Sequence, residues 1–418
     1  MKKTSRIISV GAVAAGLLVA TACSSGAGGG DGGGAEAKQS DLPASVDLKG
    51  ETVASLFTSM NNDYYSTWDQ GARAAVEAFN GTYVSQTNEG DPATEIAQFQ
   101  QQVDAGVKII FITAPDSGPV PEIARIANEN DVCLVNTWEM DPWDSPFEYG
   151  DNYTQYIFPD TYAAAYETAT ALFEEMGGSG KFVHITGHPG ATPDAVRTLA
   201  VDDALKEFPD IELVDRQPGE WDRDSSRTAM SGVINRVGKE IDGVFGQNDD
   251  VAIGAMNAMQ EAGIEDVPIT GMDGNLGTMD LIKSGDIFAV NSSLPNWNAG
   301  FSFVQALDAC KSGEPPRALN RQILSQGMLV TADNVDDYIE NYTEDGNLPW
   351  DWVKMSRVAY PDDWDPQNGI KAMDMDDMWK WAEQPAGYEL PQEYVDDLPN
   401  MDEVNAEWDE HWKLLRRD

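Results

Sequence analysis

The chain has 418 residues, 41% of them hydrophobic, which is enough to bury a large core and points to two or three domains. Asp and Glu number 71 against 27 Lys and Arg, a formal net charge of -44. That balance excludes nucleic acid as a partner and polybasic adhesion to anionic lipid, because both need a basic surface. The chain opens with Lys2, Lys3 and Arg6 and then an apolar run over 7–20, a signal-type segment too short to span a bilayer. Residues 24–34 are almost entirely Gly, Ser, Ala and Asp and read as a flexible tether, with order expected from about Leu48.

From there β-prone and helical runs alternate. Residues 52–57 form a short strand, and 65–79 place Trp68, Ala72, Ala75, Val76 and Phe79 on one helical face. Apolar strands follow at 109–113 and 132–135, with a helix over 120–130 between them. Strands at 181–185, 211–214, 243–246, 268–271 and 288–291 alternate with helices over 194–208, 225–237, 251–262 and 279–285. Buried strands separated by helices predict parallel sheets of right-handed βαβ units, and their number predicts two doubly wound lobes. Residues 333–418 differ: they hold 24 acidic and 7 basic residues and seven of the twelve tryptophans. Prolines interrupt this stretch, short helices are expected at 375–383 and 404–415, and that many tryptophans predict an extension packed over the lobes.

Cysteine is used three times, at 23, 133 and 310. Ala20-Thr21-Ala22-Cys23 resembles the bacterial lipobox, in which the signal is cut before a cysteine that then carries diacylglycerol. An ordinary secretory cleavage site is the alternative. Cys133 lies in a strand-like run and Cys310 in a helix-like run; buried free thiols are expected, with a bridge left open. No metal-ligand spacing and no cofactor motif is present.

Five segments in order carry a family resemblance. FTSMNNDYYSTWDQGA (57–72) resembles the first βα turn of the ribose-binding and galactose-binding proteins. VDAGVKIIFITAPDSGPV (103–120), GEWDR (219–223), VFGQNDDVAIGAMNAMQEAG (244–263) and ITGMDGN (269–275) agree with further segments of these type 1 periplasmic binding proteins. The resemblance spans residues 53–328. It implies two Rossmann-like lobes, 48–155 with 292–326 and 156–291, joined by crossovers near 153–158, 291–296 and 320–328. Residues 1–22 would then be the lipoprotein signal, 23–47 the tether and 327–418 the acidic Trp-rich extension.

Ligands of open α/β sheets sit beyond the carboxyl ends of the strands. Here those positions carry Asn62, Tyr64, Tyr65, Asp116, Trp138, Glu139, Trp221, Asn248, Asp273 and Ser293. Flat aromatics among fixed polar groups suit a sugar, whose C–H faces stack and whose hydroxyls need partners. The resemblance adds Arg197 as a ligand-gripping residue, Trp221 as the stacking ring, Asn62, Asn248 and Asp273 as polar ligand positions, and Tyr64 with Tyr65 in place of a Phe-Phe pair. Trp138-Glu139 departs from the family's pattern of Asn or Asp followed by a basic residue, and Ser293 departs from Gln or Asn.

The implied function is that of an extracytoplasmic, lipid-anchored, monomeric solute-binding protein that delivers a monosaccharide or similar polar molecule to an ABC permease. The alternative is a receptor for a polyol, amino sugar or signalling molecule feeding a membrane sensor, which the extra carboxylate of Glu139 keeps open. Catalysis is not expected: His184, His188 and His411 are the only histidines, without a nucleophile elbow or metal-binding helix motif. No basic helix-turn-helix precedes the lobes.

Overall fold

A computed structural model describes residues 39–343 and 348–417. The expected signal segment, Cys23 and most of the tether therefore lie outside the described residues.

The first half of the chain builds one sheet. Its elements are β1 (Thr52–Phe57), α1 (Asp63–Ala78), β2 (Thr82–Thr87), α2 (Pro92–Asp104), β3 (Ile109–Ile112), α3 (Val120–Glu129), β4 (Cys133–Thr137) and β5 (Tyr153–Pro159). β3, β4 and β5 are buried along their whole length, as parallel strands covered on both faces must be. β2 was not anticipated, because as an edge strand it alternates TYVSQT and buries only Tyr83. Asn62 and Asp91 cap α1 and α2 by accepting from Tyr64 N and Ala93 N.

The chain then crosses and builds a second sheet. Here follow α4 (Thr161–Glu175), β6 (Ser179–Thr186), α5 (Thr192–Leu205), β7 (Asp210–Pro218), α6 (Arg223–Val237), β8 (Gly243–Gly246), α7 (Asp249–Glu261), β9 (Ile269–Asp273), α8 (Leu276–Ser284) and β10 (Ala289–Ser292). α9 (Pro295–Ser312) and β11 (Gln322–Ser325) return to the first lobe, and β12 (Met328–Thr331) crosses back to the second. The sheet orders are β13-β11-β5-β4-β3-β1-β2 and β12-β10-β9-β8-β6-β7. All neighbours are parallel except β10 with β12 and β11 with β13 (Ile370–Ala372). Two α/β lobes follow, as the order of elements predicts, and the chain passes between the two sheets four times, the last on the way to β13.

Three expected boundaries move. β5 stays in the first sheet through Pro159, pairing Phe158 with Leu324, so the first crossing falls after 159 rather than 155. β12, assigned to the extension from its sequence, closes the second sheet with Val290 opposite Val330. Residues 39–47, assigned to the tether, are held down: Ser40 N donates to Asp351 Oδ1 at 3.0 Å, Gln39 Nε2 to Trp350 O at 2.7 Å, and Val46 is fully buried.

The acidic C-terminal stretch packs on both lobes, with the Tyr338 hydroxyl donating to Gly274 O of the second at 2.8 Å, and adds β13 to the edge of the first sheet. It carries α10 (Val335–Tyr338), α11 (Met375–Met378), α12 (Gln392–Asp397) and α13 (Met401–His411). α11 stops well short of the expected 383, and α13 begins before 404. Trp350, Trp352, Trp379 and Trp408 are essentially buried. Trp352 lies so close to α9 that a Cβ on Gly300 would stand 2.2 Å from its ring. Arg357 lies over Trp364 and Trp408, which meet edge to face, 3.9 and 4.2 Å from their ring centres.

The expected free thiols are a correction. Cys133 at the start of β4 and Cys310 near the end of α9 form a disulfide, with Cα atoms 5.7 Å apart across 177 residues of sequence. Packing of α9 against β3 and β4 brings them together, and sequence spacing carries no trace of that approach.

Candidate functional site

The carboxyl ends of both sheets face each other, and the residues that leave them are held in left-handed backbone. Trp138 after β4 has φ 79°, Trp221 after β7 has φ 47°, and Asp273 at the end of β9 has φ 118°. Such conformations cost about 1–3 kcal/mol each and persist where neighbours over-determine them.

Trp138 shows what does so. Its indole N–H donates to the Tyr64 hydroxyl at 2.6 Å, and its carbonyl accepts from Tyr156 at 2.6 Å. Arg197, from α5 of the other lobe, lies 5.4 Å from the centre of the Trp138 ring. The guanidinium is fixed by Nε donating to Thr161 Oγ1 at 2.7 Å and Nη1 to Gln247 O at 2.5 Å.

Asp273 is 6% exposed. Burial pushes its carboxyl up to about 7, while the charge of Arg197 and a hydrogen bond from Asn248 hold it down. Asp249, beside it, is buried and accepts from Asn275 N at 2.7 Å. Burial and then the Asp273 charge raise Asp249 well above the usual carboxylate range.

Between these groups lies a narrow cavity of about 10 Å³, room for about one water, lined by Trp138, Arg197, Asp273, Ser293, Asn291 and Asp160, among others. Ser293 Oγ and Asn291 Oδ1 are buried there without a hydrogen-bond partner among the described residues. Orphaned polar atoms at the mouth of two sheets are what a hydroxyl-bearing guest would satisfy.

Four of the residues expected from sequence therefore line the cavity: Trp138, Arg197, Asp273 and Ser293. Tyr64 and Asn248 stand behind them, bonded to Trp138 and Asp273. The others have different placements. Asn62 caps α1, and Tyr65 stacks on Phe57 at 5.9 Å. Asp116 is exposed and closes its own turn by accepting from Gly118 N at 2.8 Å. Trp221 stands edge-on to His188, 5.0 Å between centres, over Gly187, where a Cβ would lie 2.1 Å from the indole. Asn291, Asp160 and Thr161 were missed, because they sit at crossings whose direction the sequence does not reveal. Among the described residues no acidic, His or Cys cluster suited to a metal is present.

Glu139 has the least expected placement. It is 4% exposed and does not line the cavity. Its Oε2 accepts from Thr192 N at 3.2 Å, and Thr192 Oγ1 donates to Met140 O at 2.9 Å. A side chain of the first lobe thus caps α5 of the second, a helix without a side-chain cap of its own. Burial pushes the Glu139 carboxyl up to about 7, against the pull of the Thr192 bonds; Asp116 adds to the rise and Arg197 opposes it.

A raised carboxyl disfavours the charged form in the folded state, so its penalty is absent below the ordinary value of 4.5, grows as pH rises from there and is complete above about 7. Glu139→Gln keeps the acceptor and removes the charge. Thermal unfolding without ligand should show the variant about 1–3 kcal/mol more stable at pH 8 and level with wild type near pH 4. Equal stability at both pH values would show that the carboxyl titrates normally.

The model of a periplasmic binding protein domain matches residues 53–315. The chain belongs to the periplasmic binding protein family. This member is 28% identical over 345 residues to the xylitol-binding protein of Mycolicibacterium smegmatis, covering 82% of this chain and 90% of that one. It is 24% identical over 268 residues to the ribose import binding protein of Salmonella typhimurium, 64% of this chain and 87% of that one. Among solved structures, a twin-arginine translocation pathway signal protein from Burkholderia phytofirmans superposes with TM-score 0.65 at 29% identity. That match covers 69% of this chain and 91% of the other. No helix among the described residues is long and apolar enough to cross a membrane.

Proposed function

We propose that this binding protein captures a neutral polyhydroxylated molecule, a sugar or polyol, between its lobes and delivers it to a membrane permease of an ABC importer. The observation that carries the reading is the cavity itself, where a flat indole, a guanidinium beside a carboxylate and two orphaned hydrogen-bonding atoms converge from both lobes. The lining holds one cation, Arg197, against the carboxyls of Asp273 and Asp160, which disfavours an anionic guest. The relatives named for xylitol and ribose support the same class.

Closure does the selecting. Trp138 comes from the first lobe, and Arg197, Asp273 and Ser293 from the second, so a guest that touches both shifts the open–closed balance by its differential affinity. A hydroxyl of the wrong epimer leaves a buried group unpaired, at about 1–3 kcal/mol.

A thermal-unfolding panel of xylitol, D-ribose, D-allose, other pentoses, inositols, amino sugars and amino acids tests this. A sugar or polyol should raise the melting temperature with concentration, and Asp273→Ala should abolish the rise. Stabilisation confined to amino acids would sink the reading.

The anchor is proposed from the lipobox-like Ala20-Thr21-Ala22-Cys23. Acylation of Cys23 would hold the lobes at the outer face of the cell membrane, each buried methylene contributing about 0.8 kcal/mol. Cys23→Ala should move the protein from the membrane pellet to the medium; unchanged fractionation would argue for another means of retention.

A further inference from the structure

A second chamber opens behind the cleft. It is partly open to solvent and offers about 630 Å³ between α4 of the second lobe, β11, and the β13 and α13 elements that the C-terminal stretch adds. It shares Asp160, Ala164, Asn291 and Gly327 with the ligand cavity, so the two spaces meet at the crossings. At the junction Asn291 is 2% exposed; its Nδ2 donates to Glu167 Oε2 at 3.0 Å, and its Oδ1 is unpartnered among the described residues. Gly327 has no room for a side chain: a Cβ would stand 2.4 Å from that Oδ1 and 3.0 Å from Ser292 O.

We propose that this chamber is a second subsite, which receives a hydroxylated, uncharged or amino-bearing group attached to the molecule in the cleft, so that the physiological ligand is a glycoside or glycosyl-polyol. The inference rests on reading the cleft as a sugar or polyol site. The chemistry of the walls sets the class. Gln326 and Asn405 offer amides, Ile370 and Trp412 an apolar surface, and Asp160, Glu167 and Asp409 outweigh Lys371. Acidic excess disfavours a phosphate or carboxylate and accepts hydroxyls or an amine. Without the C-terminal stretch the chamber loses its outer wall, which gives that stretch a part in recognition.

The test is titration calorimetry on the full chain in detergent, with xylitol, D-ribose and D-allose, each free and carrying a glucosyl group in turn on each hydroxyl. At least one glucosylated compound should bind about tenfold or more tightly than its parent. Ala406→Phe, at an exposed position of α13 lining the chamber, should remove that gain and leave the parent's Kd within about twofold. The inference is overturned if every glucosylated compound binds more weakly than its parent, or if the gain survives both Ala406→Phe and Asn405→Trp. Free glucose bound with an affinity that Trp138→Ala does not change would also overturn it, by making the chamber an independent site. If neither parents nor glucosylated forms bind, the cleft reading itself fails and takes this one with it.

Discussion

Arg197→Met is expected to weaken ligand binding by about 10- to 100-fold, because a hydrogen bond to a charged group contributes about 1.5–3 kcal/mol. The guanidinium is 4% exposed and serves several partners at once. It bonds Thr161 and the Gln247 carbonyl, faces the Trp138 ring across the cleft, and lowers the carboxyls of Asp273 and Glu139. Methionine fills much of the volume but leaves those acceptors and charges uncompensated. Asp273, already pushed up to about 7, should then titrate higher still. Calorimetry at pH 6 and pH 8 separates the roles. A loss that deepens at pH 8 identifies charge compensation, whereas a loss equal at both values identifies contact alone. Unchanged affinity would reduce Arg197 to a structural clamp.

Removing the Cys133–Cys310 bridge by the double substitution to Ser should lower stability by about 2–5 kcal/mol. The bridge closes a loop of 177 residues that contains every strand of the second sheet except β12. On the chain-entropy account a loop beyond 100 residues approaches about 5 kcal/mol, and relaxation of the surroundings lowers this. Urea unfolding of the oxidised, reduced and double-Ser proteins measures it. The reduced and double-Ser forms should agree, and a loss below about 0.5 kcal/mol would mean that packing of α9 on β4 alone sets the geometry. A persistent disulfide also fits an oxidising compartment outside the cytoplasm.

Much of the architecture is local and therefore legible. Fully apolar runs such as IIFI at 109–112 and GVFG at 243–246 can only be buried parallel strands, and Asn62 and Asn248 start helices by capping chemistry confined to three residues. The order of strands and helices then leaves two doubly wound lobes as the solution, and the rule that ligands gather at strand ends picks out Trp138, Asp273 and Ser293. Arg197 lies within a helix, where no such rule points to it; the family resemblance supplied it.

What stayed hidden depends on residues far apart in the chain meeting in space. Glu139 caps a helix that starts 53 positions later, and Cys133 finds Cys310 only because α9 crosses back to the first lobe. Trp221 sits at a strand end like Trp138, yet it packs over Gly187 while Trp138 faces the cavity, because the left-handed turns after β4 and β7 aim them differently. β12 and β13 are three or four residues long and pair as antiparallel edges, too short for any periodicity to announce them. Composition, periodicity and capping are written along the chain, and they determined most of the elements and the two lobes. The direction of each crossing, and so which side chains share the cleft and what the C-terminal stretch encloses, depends on long-range packing and was decided only by the tertiary structure.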